Sequence, residues 1–347
     1  MERTKVGVLG CGAVAIKRHI PAFKRLHTAN IVAVCDKNEI LAKNTAKSLG
    51  VQSYSELSEM IANSKPDIID ICTPPKIHAD LTVEALSKGC NVILEKPMAL
   101  SVSDCDRMIE ASEKYGKKLC IVHNVLFHPP LIKAKELVKK GVIGKVLGVR
   151  INLADPKNEM IMRSDYWIHK LPGGVIGETC PHPVYLASEF MDEIQSVDIF
   201  AKRILEHEWA KFDEFRIELI GKETLGSVMI SYSGDHYNAN MEIHGTEGTL
   251  FIDMQSMLVI NQKKKYSANP VSVALSSLNM SCQMQKGIVK NIGGYLLGKV
   301  RLGHDTIIEQ FVDSVLLNKQ PPVTAYEGRN TTRVMEMIVK RLSEKYV

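Results

Sequence analysis

Three groups of residues in this 347-residue sequence could carry chemistry by their type and spacing. The first is Gly10, Gly12 and Ala15 in KVGVLGCGAVA, a GxGxxA pattern. In a dinucleotide-binding turn each small residue has a steric task. Gly10 permits the tight turn, Gly12 lets backbone approach a pyrophosphate, and Ala15 lets a helix pack closely on the preceding strand. The backbone of Gly10 to Ala13, with Val14 opening the helix, then offers free N–H groups to the anion. The second group is Glu95-Lys96-Pro97, which follows the apolar run Asn91 to Leu94. A lysine delivered by a strand end, on a chain stiffened by proline, suits a cofactor crevice; a surface charge pair is the alternative. The third is Glu178 and His182, four residues apart in WIHKLPGGVIGETCPHPVYL. On one helix this spacing puts both side chains on one face, where the carboxylate can orient the imidazole and raise its basicity, as a general base requires. A solvated Glu–His pair is the plainer alternative.

These groups need elements to hold them. The glycines follow Val6, Val8 and Leu9, a run suited to a buried strand, and precede a helical stretch from Val14 towards Leu26. A second strand, Ile31 to Cys35, ends in Asp36, at about the twenty-residue offset of a ribose-binding carboxylate. Lys37 comes next. A helix from Glu39 to Leu49 closes on Gly50, a strand runs from Val51 to Tyr54, and Ser55 with Ser58 and Glu59 can cap the helix that follows. The strand Asp67 to Cys72 stops at Thr73-Pro74-Pro75, on the sheet edge where open α/β folds bind ligands. Then come a helix from His78 to Lys88, the strand Asn91 to Leu94, a capping box at Ser101 to Asp104, and a last strand, Lys118 to Val122. This alternation predicts a doubly wound parallel sheet, an α/β Rossmann domain over residues 1–123.

Beyond His123 the pattern changes to strands of period two: Val146 to Leu153, Ser196 to Leu205, Phe215 to Ile220, Gly226 to Tyr232, Asn238 to His244 and Thr249 to Ile252. With a helix at Leu131 to Lys140 and a hairpin turn at Gly245 to Gly248, they predict an α+β domain with a large, predominantly antiparallel sheet over 124–347. A last helix, Tyr326 to Lys345, is free to pack back on the first domain. Pro172-Gly173-Gly174 breaks the chain ahead of the helix that bears Glu178 and His182. The stretch Met254 to Gly303 contains Lys263, Lys264, Lys265, Lys286, Lys290, Lys299 and Arg301 and no acidic residue. It reads as a solvated excursion from the sheet or as a basic lid favouring an anionic substrate. A membrane-surface role is the weaker reading, because the basic residues lack helical phasing with the apolar ones.

Composition narrows the classes. The mean hydropathy is near zero, and no apolar run is long enough to span a bilayer. No basic-then-apolar leader precedes the first strand. A net charge of +5 does not call for nucleic acid. The eight cysteines form no CxxC pair, and Cys35, Cys72 and Cys120 fall in predicted strands, the pattern of reduced thiols in a cytoplasmic protein. His123 and His128 lack metal-ligand spacing, so no metal is expected.

GVLGCGAVA, CTPPKIH, LEKPMA and PGGVIGETCPH stand in the order and spacing of the glucose-fructose oxidoreductase, inositol dehydrogenase and rhizopine-catabolism family (Gfo/Idh/MocA), which the sequence resembles over nearly its whole length. The resemblance implies NAD(P)-dependent hydride transfer at a sugar or cyclitol hydroxyl. It makes Lys96 the residue that orients the reacting hydroxyl and His182 the acid/base, with Glu178 where most members have aspartate and Cys180 where they have glycine. Asp36 favours NAD, with NADP the alternative that Lys37 leaves open. Thr73, Pro74, His78, Glu95 and Asn124 fall beside the cofactor, and Trp167 and His304 beside the sugar. Each has a plainer reading: local hydrogen bonds for His78, a strand terminus for Asn124, a core anchor for Trp167 and, with Asp305, a helix cap for His304. Two other classes stay open, a non-catalytic NAD(P)-binding sensor and a glycoside hydrolase that uses bound NAD. A homo-oligomer, dimer or tetramer, is expected through the exposed sheet face.

Overall fold

Apolar runs punctuated by glycine and proline become the strands of a parallel sheet. The computed structural model describes residues 3–155, 162–206, 209–234, 236–263, 269–298 and 301–346. They fall into two units, Met1–Phe127 with Leu302–Arg333, and His128–Arg301 with Val334–Val347. In the first unit β1 (Thr4–Leu9), β2 (Ala29–Cys35), β3 (Gln52–Tyr54), β4 (Ile68–Ile71), β5 (Asn91–Leu94) and β6 (Leu119–Ile121) pair in the order β3-β2-β1-β4-β5-β6. Every pairing is parallel. The strands are nearly continuous hydrophobic runs because helices cover both faces of such a sheet. β4 is buried along its whole length.

The connecting helices include α1 (Ile20–Lys24), α2 (Glu39–Leu49), α3 (Leu57–Ser64), α4 (His78–Ser87) and α5 (Val102–Tyr115). Asn38 caps α2 by accepting from the amides of Ile40 and Leu41, and Gly50 closes it in the left-handed conformation. Ser101 caps α5 by accepting from the amide of Asp104. Two expectations need correction. Glu56, not Ser55, stands at the N-cap of α3 and makes no side-chain cap bond. The helix after the glycine turn is wound as a π-helix over Ala15–His19 before α1 begins.

The boundary predicted at residue 123 also moves. Residues 302–333 return to the first unit, because one flank of the parallel sheet still needs an apolar cover. α10 (Gly303–Leu316) supplies it with Ile307, Ile308, Phe311 and Val312, all fully buried, packed against β5, α1 and the 3₁₀ turn Asn124–Phe127. Thr324 then bridges to Cys120 at the β6 edge. The last helix, α11 (Ala325–Tyr346), contributes to both units.

The second unit begins with α6 (Pro129–Lys139) and is built on a seven-stranded sheet ordered β13-β12-β11-β7-β10-β9-β8. Its strands are β7 (Val146–Ala154), β8 (Ile194–Lys202), β9 (Glu214–Gly221), β10 (Leu225–Ser231), β11 (Asn238–Gly245), β12 (Thr249–Asp253) and β13 (Leu258–Gln262). All neighbours are antiparallel except β7 and β10. In β9 and β11 every second residue is buried, so one face carries the core. β7 meets α8 (Pro181–Ser188), which follows the short helix α7 (Ile176–Thr179). The basic stretch supplies β13 and then α9 (Pro270–Leu296), a 27-residue helix with no buried residue. Lys264, Lys265 and Lys299 lie outside the described residues. No described helix is long and apolar enough to cross a membrane.

Candidate functional site

Parallel strands deliver their carboxyl ends to one edge, so Gly10, Asp36, Thr73 and Glu95-Lys96 reach the same rim of the first unit. The strand order reverses between β1 and β4, and this switch point is where open α/β sheets bind ligands. Gly10 has φ +96°, and a Cβ there would stand 2.6 Å from the Cys72 carbonyl oxygen, so only glycine fits. A Cβ on Gly12 would meet nothing within 4 Å. It would point into open space where an incoming group needs room. Ala15 is fully buried, as close helix packing demands. The Asp36 carboxylate ties the turn down, accepting the Cys11 amide on Oδ2 and the Asn38 amide on Oδ1, both at 2.8 Å.

A cavity of about 410 Å³ opens over this turn, lined among others by Gly10, Gly12, Asp36, Lys37, Thr73 and Pro74. The residues fit a dinucleotide on two observations. Gly12 leaves the space a pyrophosphate would fill, and the buried Thr73 Oγ1 has no hydrogen-bond partner among the described residues, so it can serve a ligand. His78 does not line this cavity. Fully buried, it lies with Nε2 2.8 Å from the Thr73 carbonyl and Nδ1 3.0 Å from that of Pro97, and so clamps the two rim turns together. Burial pushes its imidazole below the ordinary value.

Beneath Lys96 lies a buried charge cluster that sequence reasoning missed. His19 is fully buried, with Nδ1 2.8 Å from Asp70 Oδ1 and Nε2 2.8 Å from Glu95 Oε1. Burial by itself would push this imidazole down, but the Asp70 carboxylate outweighs it and holds the group well above its ordinary value. His19 is therefore an imidazolium that donates to both carboxylates. Glu95 mirrors it. Burial would raise its carboxyl, but hydrogen bonds from His19 and then His304 hold it well below the usual range. Its second oxygen accepts the Lys96 amide at 3.0 Å. His304, on α10, has Nε2 3.4 Å from Glu95 Oε1 and its ring 5.4 Å from that of His19. The chain Asp70–His19–Glu95 thus fixes the backbone from which Lys96 projects, half-buried, at the rim.

The second unit carries the other group. Gly173 and Gly174, at φ +78° and +65°, take the left-handed turn that lets the chain enter α7. One helix bearing both Glu178 and His182 is the expectation. The structure instead breaks it at Pro181, which has no N–H to continue the ladder, so Glu178 lies on α7 and His182 on α8. The group at His182 Nδ1 is the Tyr185 hydroxyl, 2.7 Å away, with the rings edge-on at 5.5 Å. Tyr185 was not singled out from the sequence, although its i+3 offset was there to be read. Cys180 is packed out of solvent, and burial raises its thiol to about 12. Trp167 is half-buried on the 3₁₀ turn Trp167–Lys170, its ring 5.9 Å from Tyr166. Asn124 is half-buried just past β6. Of the eight cysteines all but Cys282 are buried.

The chain matches two models of one family. One, described as an oxidoreductase family with an NAD-binding Rossmann fold, covers residues 4–123, and the GFO/IDH/MocA C-terminal domain covers residues 131–251. Oxidoreductase P35 of Formosa agariphila is 29% identical over 202 residues, 56% of this chain and 63% of that protein. Myo-inositol 2-dehydrogenase of Thermotoga maritima is 26% identical over 256 residues, 72% of this chain and 75% of that protein. Among solved structures, the WlbA dehydrogenase of Bordetella pertussis, in complex with NADH and UDP-GlcNAcA, superposes with a TM-score of 0.82 at 20% identity, over 99% of this chain and 96% of that one. The fold, the glycine turn and both family matches agree: the chain belongs to the GFO/IDH/MocA oxidoreductase family, and its first unit is an NAD-binding Rossmann domain.

Proposed function

We propose that this protein moves a hydride between NAD and a secondary hydroxyl or ketone of a sugar, cyclitol or sugar derivative, with Lys96 and His182 as its catalytic residues. The observation that carries the reading is the buried Asp70–His19–Glu95 chain, which sets the Lys96 backbone at the rim of an NAD-binding sheet. Bound NAD supplies the hydride acceptor or donor. Lys96 offers a fixed cation to the oxygen that gains negative charge as its proton leaves. His182 takes that proton in oxidation and returns it in reduction. To act as a base through Nε2, His182 must carry its proton on Nδ1, which the Tyr185 hydroxyl 2.7 Å away can accept. NAD over NADP is supported by the cavity lining, where the carboxylates of Asp36, Glu56 and Glu84 outnumber Lys37 and disfavour a 2′-phosphate.

The likeness to enzymes named for inositol and for a nucleotide-sugar complex supports a polyol ring as the substrate class. The test is NADH formation across free sugars, cyclitols, sugar phosphates and nucleotide sugars, with Lys96→Met beside the wild type. Turnover on at least one ring polyol, abolished in the variant while NADH still binds, is the expected result. Tight NADH binding with no turnover on any member would leave a sensor, and sugar release without net NADH would indicate a hydrolase.

A further inference from the structure

We propose that α9 holds this protein on an anionic lipid surface, lying in the plane of the membrane interface without crossing it. An ordinary surface helix turns its apolar face to the core; α9 is built the other way round. Its inward face is identified by its contacts. Gln283 exchanges hydrogen bonds with the backbone of Asn261 on β13, Asn291 donates to the carbonyls of Ser256 and Met257, and Gly287 lies against the Leu258 side chain. The side packed on β13 is thus amide, glycine and backbone.

The opposite face is apolar at both ends of the helix. At 100° per residue, Val271, Leu278, Val289, Ile292 and Leu296 point away from Gly287 and Gln283, and they are between 55% and 77% exposed. They form two patches, Val271 to Leu278 and Val289 to Leu296, on a helix about 40 Å long, with Ser281, Cys282 and Gln285 on the same face between them. Exposed apolar patches of this kind mark an interaction surface. Charge selects the occupant. Lys286 and Lys290 lie along one side of the stripe, and residues 254–303 contain seven basic and no acidic residues in a chain with 39 of the latter. A second copy of α9 would set lysine against lysine with no carboxylate to pair. An anionic headgroup layer pairs with those lysines while its acyl boundary takes the valine, leucine and isoleucine side chains. Tyr295, 77% exposed, adds an aromatic of the kind that settles at such boundaries. The expectation of no membrane partner rested on the phasing of the basic residues; the phase that matters is that of the apolar ones, set by the seat on β13.

The test is co-sedimentation of the full chain with phosphatidylcholine vesicles, with and without about 30 mol% phosphatidylglycerol. The expected result is binding at least tenfold stronger to the anionic vesicles, weakening as salt rises. Val289→Asp with Ile292→Asp should abolish it, and Lys286→Gln and Lys290→Gln should each cost about fivefold. Both positions are exposed, so melting temperature and NADH binding should stay at wild-type values, which separates lost docking from lost fold. Failure to bind anionic vesicles would overturn the proposal, as would binding indifferent to Val289→Asp with Ile292→Asp. A wild-type dimer that ignores vesicles and that the aspartates convert to monomer would assign the stripe to a second copy and overturn it equally.

Discussion

His19 and His182 are opposites, one in each unit. His19 is sealed from solvent with a carboxylate on each ring nitrogen. His182 is half-exposed, and the partner at its Nδ1 is a neutral hydroxyl. Two carboxylates hold an imidazolium that sets the geometry of the rim. A hydroxyl orients the ring without placing a charge beside it. The difference separates a histidine that builds a rim from one proposed to work in the site, and neither role follows from residue type.

The sharpest way to break the comparison is to remove each ring. His182→Ala should lower kcat by about 10²–10⁴-fold, the usual worth of a general acid–base, with NADH affinity and unfolding midpoint unchanged. A loss under tenfold would remove His182 from proton transfer. His19→Ala should act through stability instead, costing about 3–5 kcal/mol in urea unfolding, because it strands two buried carboxylates. If His19→Ala folds as well as the wild type, the buried cluster is not what holds the rim.

The glycine turn sharpens the contrast between geometry and ligand. Gly10→Ala meets the Cys72 carbonyl at 2.6 Å and must destabilise the unit, whereas Gly12→Ala meets nothing. Gly12→Ala should keep the melting temperature and weaken NADH binding by tenfold or more in a fluorescence titration.

The smallest effects are in pH. The folded value of His19 is raised, so its contribution to stability is complete below its unfolded value of about 6.5 and drains away as pH climbs through the raised one. Glu95 is depressed, so its contribution is complete above about 4.3 and is lost as pH falls through the lowered value. Melting temperatures recorded from acid to alkaline pH should show both limbs, and Glu95→Gln should flatten the acid one. Tyr185→Phe should shift the acid limb of the kcat profile for oxidation and cost about tenfold or less, as befits a positioning hydroxyl.

Much of the first unit was legible because its signals are local. α2 and β5 have the predicted bounds, since an asparagine cap, a closing glycine and short apolar runs settle them within a few residues. Asp36 and Lys96 stand at strand ends as expected, because strand ends are readable. The cluster under Lys96 was not, because its partners are 51 and 76 residues apart and no spacing rule links them. Tyr185 was hidden behind a more conventional acid–base pair. β13 was hidden by the run of lysines that follows it, and α9 by an apolar phase that looked unhelical only against its charges.

The return of residues 302–333 to the first unit has a consequence for synthesis. The groove that receives Ile307, Ile308, Phe311 and Val312 is complete once residue 127 has left the ribosome, yet the helix that fills it is encoded after the whole of 128–301. At ordinary elongation speeds the groove stays bare for roughly ten to thirty-five seconds. Throughout that interval the nascent chain exposes an unfilled hydrophobic slot beside its own NAD-binding edge, a standing invitation to holdase chaperones and to mispairing with neighbouring chains on the same message.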